Sequence, residues 1–224
     1  MEVVELELAK GRSAGPVSGL LARPAGAFAL YALAHGAGAD MRHRFLESMA
    51  EALAREGVAT LRFNFPYTEK RQRRPDPQPV LEAVVRSVCE DARALAPDLP
   101  LFAGGKSLGG RMSSNAAARA PLPGVRGIVF LGFPLHPRGA PATARAQHLH
   151  GVALPLLFLQ GTRDELAELG LMRALAAELG PRATLHELEG ADHSFAVRKS
   201  AGRSAAEIHA ELARTIAGWL RALA

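Results

Sequence analysis

Apolar segments of strand length alternate with amphipathic segments along most of the chain, and this alternation predicts the secondary structure. Val3–Leu8 and Val17–Leu21 read as two strands joined by a glycine-containing turn, which indicates a hairpin at a sheet edge. Beyond residue 28, near-continuous apolar runs alternate with stretches whose apolar residues recur at helical spacing. Strands of this kind are typical of a parallel sheet covered by helices on both faces.

About eight strands and at least five helices follow from this pattern. After the hairpin, the predicted strands are Ala29–Ala34, Val58–Phe65, the run that begins at Leu101, Gly127–Phe133, Leu154–Leu159 and Ala183–Leu188. The predicted helices are the segment containing Phe45, Met49, Ala50 and Leu53, then Pro79–Leu95, Arg111–Arg119, Leu166–Leu179 and Ala205–Leu223. The active site of such a sheet is expected at the carboxyl ends of its strands.

Length and composition favour one globular domain over residues 1–224. The chain is 48% hydrophobic and 22% charged, and it contains no linker, internal repeat or apolar stretch of membrane-spanning length. The amino terminus is acidic and strand-like, unlike a signal peptide. The lone cysteine, Cys89, cannot form an internal disulfide and falls on the apolar face of a predicted helix, where it acts as a small buried hydrophobe. We therefore expect a cytoplasmic protein that does not bind a membrane.

The net charge of +5 comes from 27 basic against 22 acidic residues, and most of the excess is scattered singly. This distribution does not indicate a nucleic-acid partner. The exception is the run Lys70–Arg74 in the loop after the fourth strand. A solvated loop is the simpler interpretation, and a basic collar that attracts an anionic substrate is the sharper hypothesis.

The most informative motif is the G-x-S-x-G pentapeptide from Gly105 to Gly109, which places Ser107 between a strand and a helix. This context is typical of a nucleophile elbow, a sharp turn that exposes the serine hydroxyl at the end of the sheet. Glycine is expected on both sides of the turn because a Cβ there would clash with the neighbouring strand or helix.

A serine nucleophile needs a base and an orienting acid, and both follow at the ends of later strands. His193 lies just beyond the last strand, and Asp164 lies just beyond the strand before it. Asp192 is next to His193 and would have to fold back to reach its ring, so Asp164 is preferred, with Glu165 as second choice. The order serine, acid, histidine is that of the α/β-hydrolases.

An oxyanion hole requires two backbone N–H groups aimed at the developing negative charge. We expect one from Leu108, directly after the nucleophile, and one from Ala37 in the small-residue loop after the third strand. The predicted substrate-binding residues are His35, Gly36, Lys106 and His136.

Taken together, these motifs resemble the α/β-hydrolase superfamily, and more narrowly its small lidless group of the KANL3/Tex30 type, which is similar to dienelactone hydrolases. The resemblance spans almost the whole chain and rests on the segments 34–38, 61–67, 105–111, 132–137, 160–164 and 190–195. It implies the α/β-hydrolase fold, a mostly parallel sheet, and a triad of Ser107, Asp164 and His193. Only about 20 residues separate Phe133 from Leu154, too few for the helical cap that many members carry there.

Two other patterns carry less weight. Gly104–Ser107 mimics the end of a phosphate-binding loop, but Pro100 stands where that motif requires glycine. His136, His148 and His150 match no familiar ligand spacing and lack a cysteine or carboxylate partner, so no metal is expected.

The sequence thus predicts a cofactor-free serine hydrolase that acts on small carboxylic esters, with thioesters and lactones open. The alternative is a non-catalytic interaction module with the same fold. The oligomeric state stays undetermined.

Overall fold

The computed structural model describes residues 2–12, 15–198, 200 and 202–224, and its centre is an eight-stranded sheet. The strand order is β1-β2-β4-β3-β5-β6-β7-β8. The strands are β1 Val3–Leu8, β2 Val17–Ala22, β3 Ala29–Ala34, β4 Val58–Phe63, β5 Leu101–Lys106, β6 Val125–Leu131, β7 Leu156–Gly161 and β8 Ala183–Leu188. The helices are α1 Arg44–Arg55, α2 Pro66–Glu69, α3 Gln78–Leu95, α4 Leu108–Arg119, α5 Leu169–Leu179 and α6 Ala205–Arg221. This is the α/β-hydrolase fold predicted from the sequence.

Strand direction divides the sheet into a small antiparallel edge and a parallel body. β1 pairs with β2 and β2 with β4 in antiparallel fashion, while all pairs from β4 through β3 to β8 are parallel. The predicted edge hairpin is therefore confirmed. Because six strands run in one direction, the loops that follow them meet at one rim of the sheet.

Helices cover both faces of the sheet, and each face has its own apolar core. Along β3, Leu30, Ala32 and Ala34 pack toward the face covered by α3, α4 and α5. The alternate residues of β3 pack toward the face covered by α1 and α6. Cys89 is buried in the first of these cores, and this burial raises the pKa of its thiol to about 12.

Several predicted boundaries were wrong by a few residues, for local reasons. β7 begins at Leu156 instead of Leu154, because Pro155 has no N–H to donate to a ladder. β4 ends at Phe63, since Phe65 is the N-cap of the short helix α2, whose first residue is Pro66. β6 covers Val125–Leu131 and ends before Gly132, which has a positive φ of 73°. α4 begins at Leu108, directly after the nucleophile, instead of Arg111.

The connection between β6 and β7, where a cap would be inserted, contains one 3-10 helix over Ala144–Gly151. This segment packs against α4 beside the rim of the sheet. In the part of the chain that the structure describes there is no lid, as the short spacing predicted. No helix in the described ranges has the length and apolarity needed to cross a membrane.

Candidate active site

Ser107 lies in the turn between β5 and α4 and has an unusual backbone conformation, with φ 50° and ψ −111°. Its N–H donates to the carbonyl of Leu131 at 3.2 Å, which ties the turn to the end of β6. A Cβ on Gly105 would lie 2.2 Å from the carbonyl oxygen of Ala34, and one on Gly109 would lie 2.6 Å from the same atom. The steric reason predicted for both glycines is therefore present: β3 leaves no room for a side chain.

The three side chains singled out from the sequence meet at this turn. His193 Nε2 lies 2.9 Å from Ser107 Oγ, and His193 Nδ1 lies 2.7 Å from Asp164 Oδ2. Since an ionised carboxylate only accepts, the proton of the neutral ring is assigned to Nδ1, which leaves Nε2 free to accept from the hydroxyl. The Asp164 side chain is fully buried, whereas that of His193 is 23% exposed. A ligand can therefore approach the serine and the imidazole but not the carboxylate.

Asp164 is held in place by two further donors. Its Oδ1 accepts from the backbone N–H of Leu166 at 2.8 Å, and its Oδ2 accepts a short hydrogen bond from the side-chain amide of Gln160. Gln160 is fully buried, and its Oε1 accepts from the N–H of Phe133 at 3.0 Å. This role of Gln160 was not predicted from the sequence. The signal was available, since Gln160 is the one polar residue in the otherwise apolar strand β7.

The two rejected acids have other partners. The carboxylate of Asp192 accepts from the N–H groups of Ser194 and Ala196 at 2.8 and 2.9 Å, so it shapes the loop that carries His193. Glu165 is exposed and forms an ion pair with Arg138 at 2.8 Å. Neither carboxylate forms a hydrogen bond with the imidazole in the part of the chain that the structure describes.

The loop after β3 approaches the nucleophile closely. A Cβ on Gly36 would lie 3.6 Å from Ser107 Cβ, which places the backbone of this loop beside the elbow. In the described residues, neither the N–H of Ala37 nor that of Leu108 has a hydrogen-bond acceptor. A backbone N–H without an acceptor can donate to an oxyanion, so the predicted role of Leu108 and Ala37 stays a prediction.

The ring nitrogens of the two predicted substrate-binding histidines form hydrogen bonds with backbone groups of the protein. His35 is fully buried, its Nδ1 lies 2.8 Å from the carbonyl of Gly36, and its Nε2 accepts from the N–H of Phe65 at 3.2 Å. Burial lowers the pKa of His35. The ring of His136, 3% exposed, contacts the carbonyl of Pro137 and the N–H of Glu168, both at 2.8 Å. Both rings therefore connect neighbouring loops at the carboxyl ends of the strands. Their direct contact with a substrate stays a prediction.

Lys106 is also engaged within the protein, since its Nζ donates to the carbonyl oxygen of His193 at 2.6 Å. His148 contacts the hydroxyl of Ser114 at 2.7 Å, and His150 is exposed near Glu178. The residues that the structure describes contain no cluster of three histidine, cysteine or carboxylate side chains able to hold a metal ion.

Comparison with known proteins agrees with the fold described above. The family model described as "Alpha/beta hydrolase domain" matches residues 28–221. Among solved structures, a dienelactone hydrolase from Anabaena variabilis superimposes with a TM-score of 0.77 at 19% identity, over 99% of this chain and 98% of that one.

Two further structures are similar over nearly their whole length. An α/β serine hydrolase without a lid from Xanthomonas campestris has a TM-score of 0.74 and 22% identity, and covers 98% of this chain and 95% of its own. The esterase domain of a Rhodothermus marinus protein has a TM-score of 0.73 and 18% identity, with coverage of 99% and 98%. At these identities the likeness establishes the fold.

Proposed function

The chain belongs to the alpha/beta hydrolase domain family, and on that premise we propose that it is a serine hydrolase that cleaves small carboxylic esters through an acyl-enzyme on Ser107. One observation carries the proposal. A hydroxyl, an imidazole and a buried carboxylate form a continuous hydrogen-bonded chain from Ser107 through His193 to Asp164, at distances of 2.9 and 2.7 Å. This arrangement makes a serine nucleophilic without a metal or cofactor.

In the proposed reaction, His193 Nε2 removes the proton from Ser107 Oγ while Oγ attacks the ester carbonyl carbon. The carbonyl oxygen becomes an oxyanion and accepts hydrogen bonds from the N–H groups of Leu108 and Ala37. Asp164 keeps the ring in the required tautomer and stabilises the imidazolium. The imidazolium then donates its proton to the departing alkoxide, and a water molecule activated by the same ring hydrolyses the acyl-enzyme.

The surroundings of the triad support a small or exposed substrate. The connection between β6 and β7 contains one 3-10 helix over Ala144–Gly151, and no described segment forms a lid that would enclose an acyl chain. We place the chain in the small lidless group of the KANL3/Tex30 type, as a single domain over residues 1–224 that works in the cytoplasm. Thioesters and lactones fit the same chemistry and belong in the first substrate screen.

Labelling with a fluorophosphonate probe tests the assignment of the nucleophile. We expect stoichiometric labelling of the wild type and none of Ser107→Ala, because the probe reacts with a serine that a neighbouring base has activated. Ser48→Ala on α1, outside the triad, is the matched control and should be labelled normally. His193→Ala should label far more slowly than the wild type.

Measurement of ester hydrolysis is the second test of the proposed function. The wild type should hydrolyse short-chain p-nitrophenyl esters with burst kinetics or saturation, and Ser107→Ala should not. A folded wild type that neither reacts with the probe nor hydrolyses esters, thioesters or lactones would refute the proposed enzyme. The fold would then serve as a non-catalytic interaction module.

A further inference from the structure

Lys106 connects the loop that carries the proposed nucleophile to the loop that carries the proposed base. It is the last residue of β5 and directly precedes Ser107, but its side chain ends against the opposite loop. Its Nζ donates to the carbonyl oxygen of His193 at 2.6 Å and lies 5.4 Å from the ring centre of Phe195. The ammonium group is thus occupied by main chain and an aromatic face.

The contact lies beside Gly132, at the end of β6, where a side chain would crowd it. A Cβ on Gly132 would lie 3.1 Å from Lys106 Nζ, 3.4 Å from the carbonyl oxygen of His193 and 3.5 Å from His193 Cε1. Gly132 also has a positive φ of 73°, which disfavours any other residue. The ammonium group, the carbonyl and the imidazole therefore pack together around one backbone position.

The loop that carries His193 needs such a constraint. Phe195 has a positive φ of 62°, uncommon for a residue other than glycine, and such backbones persist only where surrounding contacts hold them. Asp192 holds the exposed side of the loop through its hydrogen bonds to Ser194 and Ala196. Lys106 holds the inner side, because it supplies a donor to the carbonyl of His193, which accepts from no backbone N–H of the described residues.

The charge of this lysine depends on pH near neutrality. Burial lowers the pKa of Lys106 to about 8, and the carboxylates of Asp164 and Asp192, which face it, act in the opposite direction. The His193 imidazole also faces it across Gly132. The ammonium is present below this pKa and is lost as the pH rises through it.

We propose that Lys106 is a positioning residue for the general base: its ammonium group fixes the main chain of His193 so that the imidazole stays within reach of the Ser107 hydroxyl. The inference rests on the proposed serine hydrolase function. A hydrogen bond from a charged donor is about twice as strong as one between neutral groups. A displacement of about 1 Å between reacting groups costs on the order of 100-fold in rate.

The test compares Lys106→Met, which keeps the length of the side chain but has no donor, with Lys106→Arg, which stays charged at every accessible pH. For Lys106→Met we expect kcat to fall about 10- to 100-fold with little change in KM, because the chemical step loses its alignment. Lys106→Arg should recover part of that loss. The exposed Lys10→Met, on the far edge of the sheet, is the matched control and should keep wild-type kcat.

The pH profile separates positioning from general stability. In the wild type, kcat should fall as the pH rises through about 8, where Lys106 loses its charge. Lys106→Met should have a low kcat without this decline, and Lys106→Arg should show no decline between pH 7 and 9. Circular dichroism establishes that each variant is folded at the assay temperature.

Two results would overturn the proposal: wild-type kcat in Lys106→Met, or a decline at the same pH in all three proteins. If Lys106→Met does not fold, Lys106→Arg decides, since an unchanged decline in that variant contradicts the proposal. These outcomes presuppose a wild type that the fluorophosphonate probe labels. A wild type that is neither labelled nor active refutes the hydrolase function and the role of Lys106 with it.

Discussion

The side-chain amide of Gln160 shows how a residue that never meets the substrate can decide the geometry of the site. The amide forms two hydrogen bonds: its NH₂ group donates to Asp164, and its carbonyl oxygen accepts from the N–H of Phe133. Through these contacts one buried side chain joins the loop after β6 to the carboxylate that orients His193. This side chain is costly to replace, because the buried N–H of Phe133 is left without its acceptor and Asp164 loses one of its donors.

We expect Gln160→Leu to lower kcat about tenfold or more and to reduce the free energy of unfolding by about 1–3 kcal/mol, the usual cost of an unpaired buried N–H. The kinetic loss follows from a carboxylate that is free to turn away from the imidazole. Steady-state kinetics and urea denaturation measure the two effects. Gln147→Leu, at an exposed position of the 3-10 helix, is the control and should change neither.

An unchanged kcat in folded Gln160→Leu would show that the N–H of Leu166 alone holds Asp164. Stability that falls while kcat is retained would give Gln160 a structural role only. The two readouts therefore distinguish orientation of the carboxylate from support of the strand end.

At the scale of elements, the elbow depends on how closely α4 approaches β3. Gly109 lies in the first turn of α4, and an added Cβ would meet the oxygen, carbon and Cβ of Ala34 at 2.6–2.7 Å. Two of these are backbone atoms in a central strand, so they cannot rotate away as a flexible side chain would. The helix would have to shift, and the backbone of Ser107 and Leu108 would shift with it.

We predict that Gly109→Ala destabilises the fold by about 3 kcal/mol or more and abolishes labelling of Ser107, because strain of this kind falls on both the core and the site. Gly218→Ala in α6 is the matched control. Gly218 is exposed, and its added Cβ meets no atom within 4 Å. The control should gain about 0.5–1 kcal/mol from helix propensity. Thermal melting of both variants checks the contrast, and equal effects would contradict the packing argument.

Two kinds of feature were predictable from the sequence: elements that follow from a repeating apolar pattern, and turns in which backbone sterics require glycine. Alternating apolar runs indicated the parallel sheet, and the glycines around Ser107 indicated the turn, since both depend on local chemistry. The polar side chain of Gln160 in an apolar strand was a signal that it has a partner, but its contact with the N–H of Phe133 joins segments that are distant in the sequence. The contact of Lys106 with the carbonyl of His193 is more distant still, and no local pattern indicates it. The short helix α2 was missed for a related reason: its four residues offer too little periodicity to distinguish it from a loop.

At the scale of the whole molecule, charge is concentrated at one place on the rim. Lys70, Arg71, Arg73 and Arg74 are exposed, and none of them forms an ion pair with the described residues. The loop is joined to the proposed oxyanion loop through Thr68, whose hydroxyl lies 3.3 Å from Nε2 of His35. A cluster of uncompensated charge on the side from which substrates approach can raise the encounter rate of anions.

We predict that raising the ionic strength from about 0.01 to 0.15 M, which shortens the Debye length from about 30 to 8 Å, lowers kcat/KM for an anionic ester more than for a neutral ester of the same acid. Arg73→Gln with Arg74→Gln should remove most of this difference. Arg93→Gln with Arg126→Gln removes the same charge at the opposite end of the sheet, near the start of β5 and β6, and should preserve the difference. If both double variants respond alike, net charge alone attracts the anion. If the wild type treats the two esters alike, Lys70–Arg74 is an ordinary solvated loop.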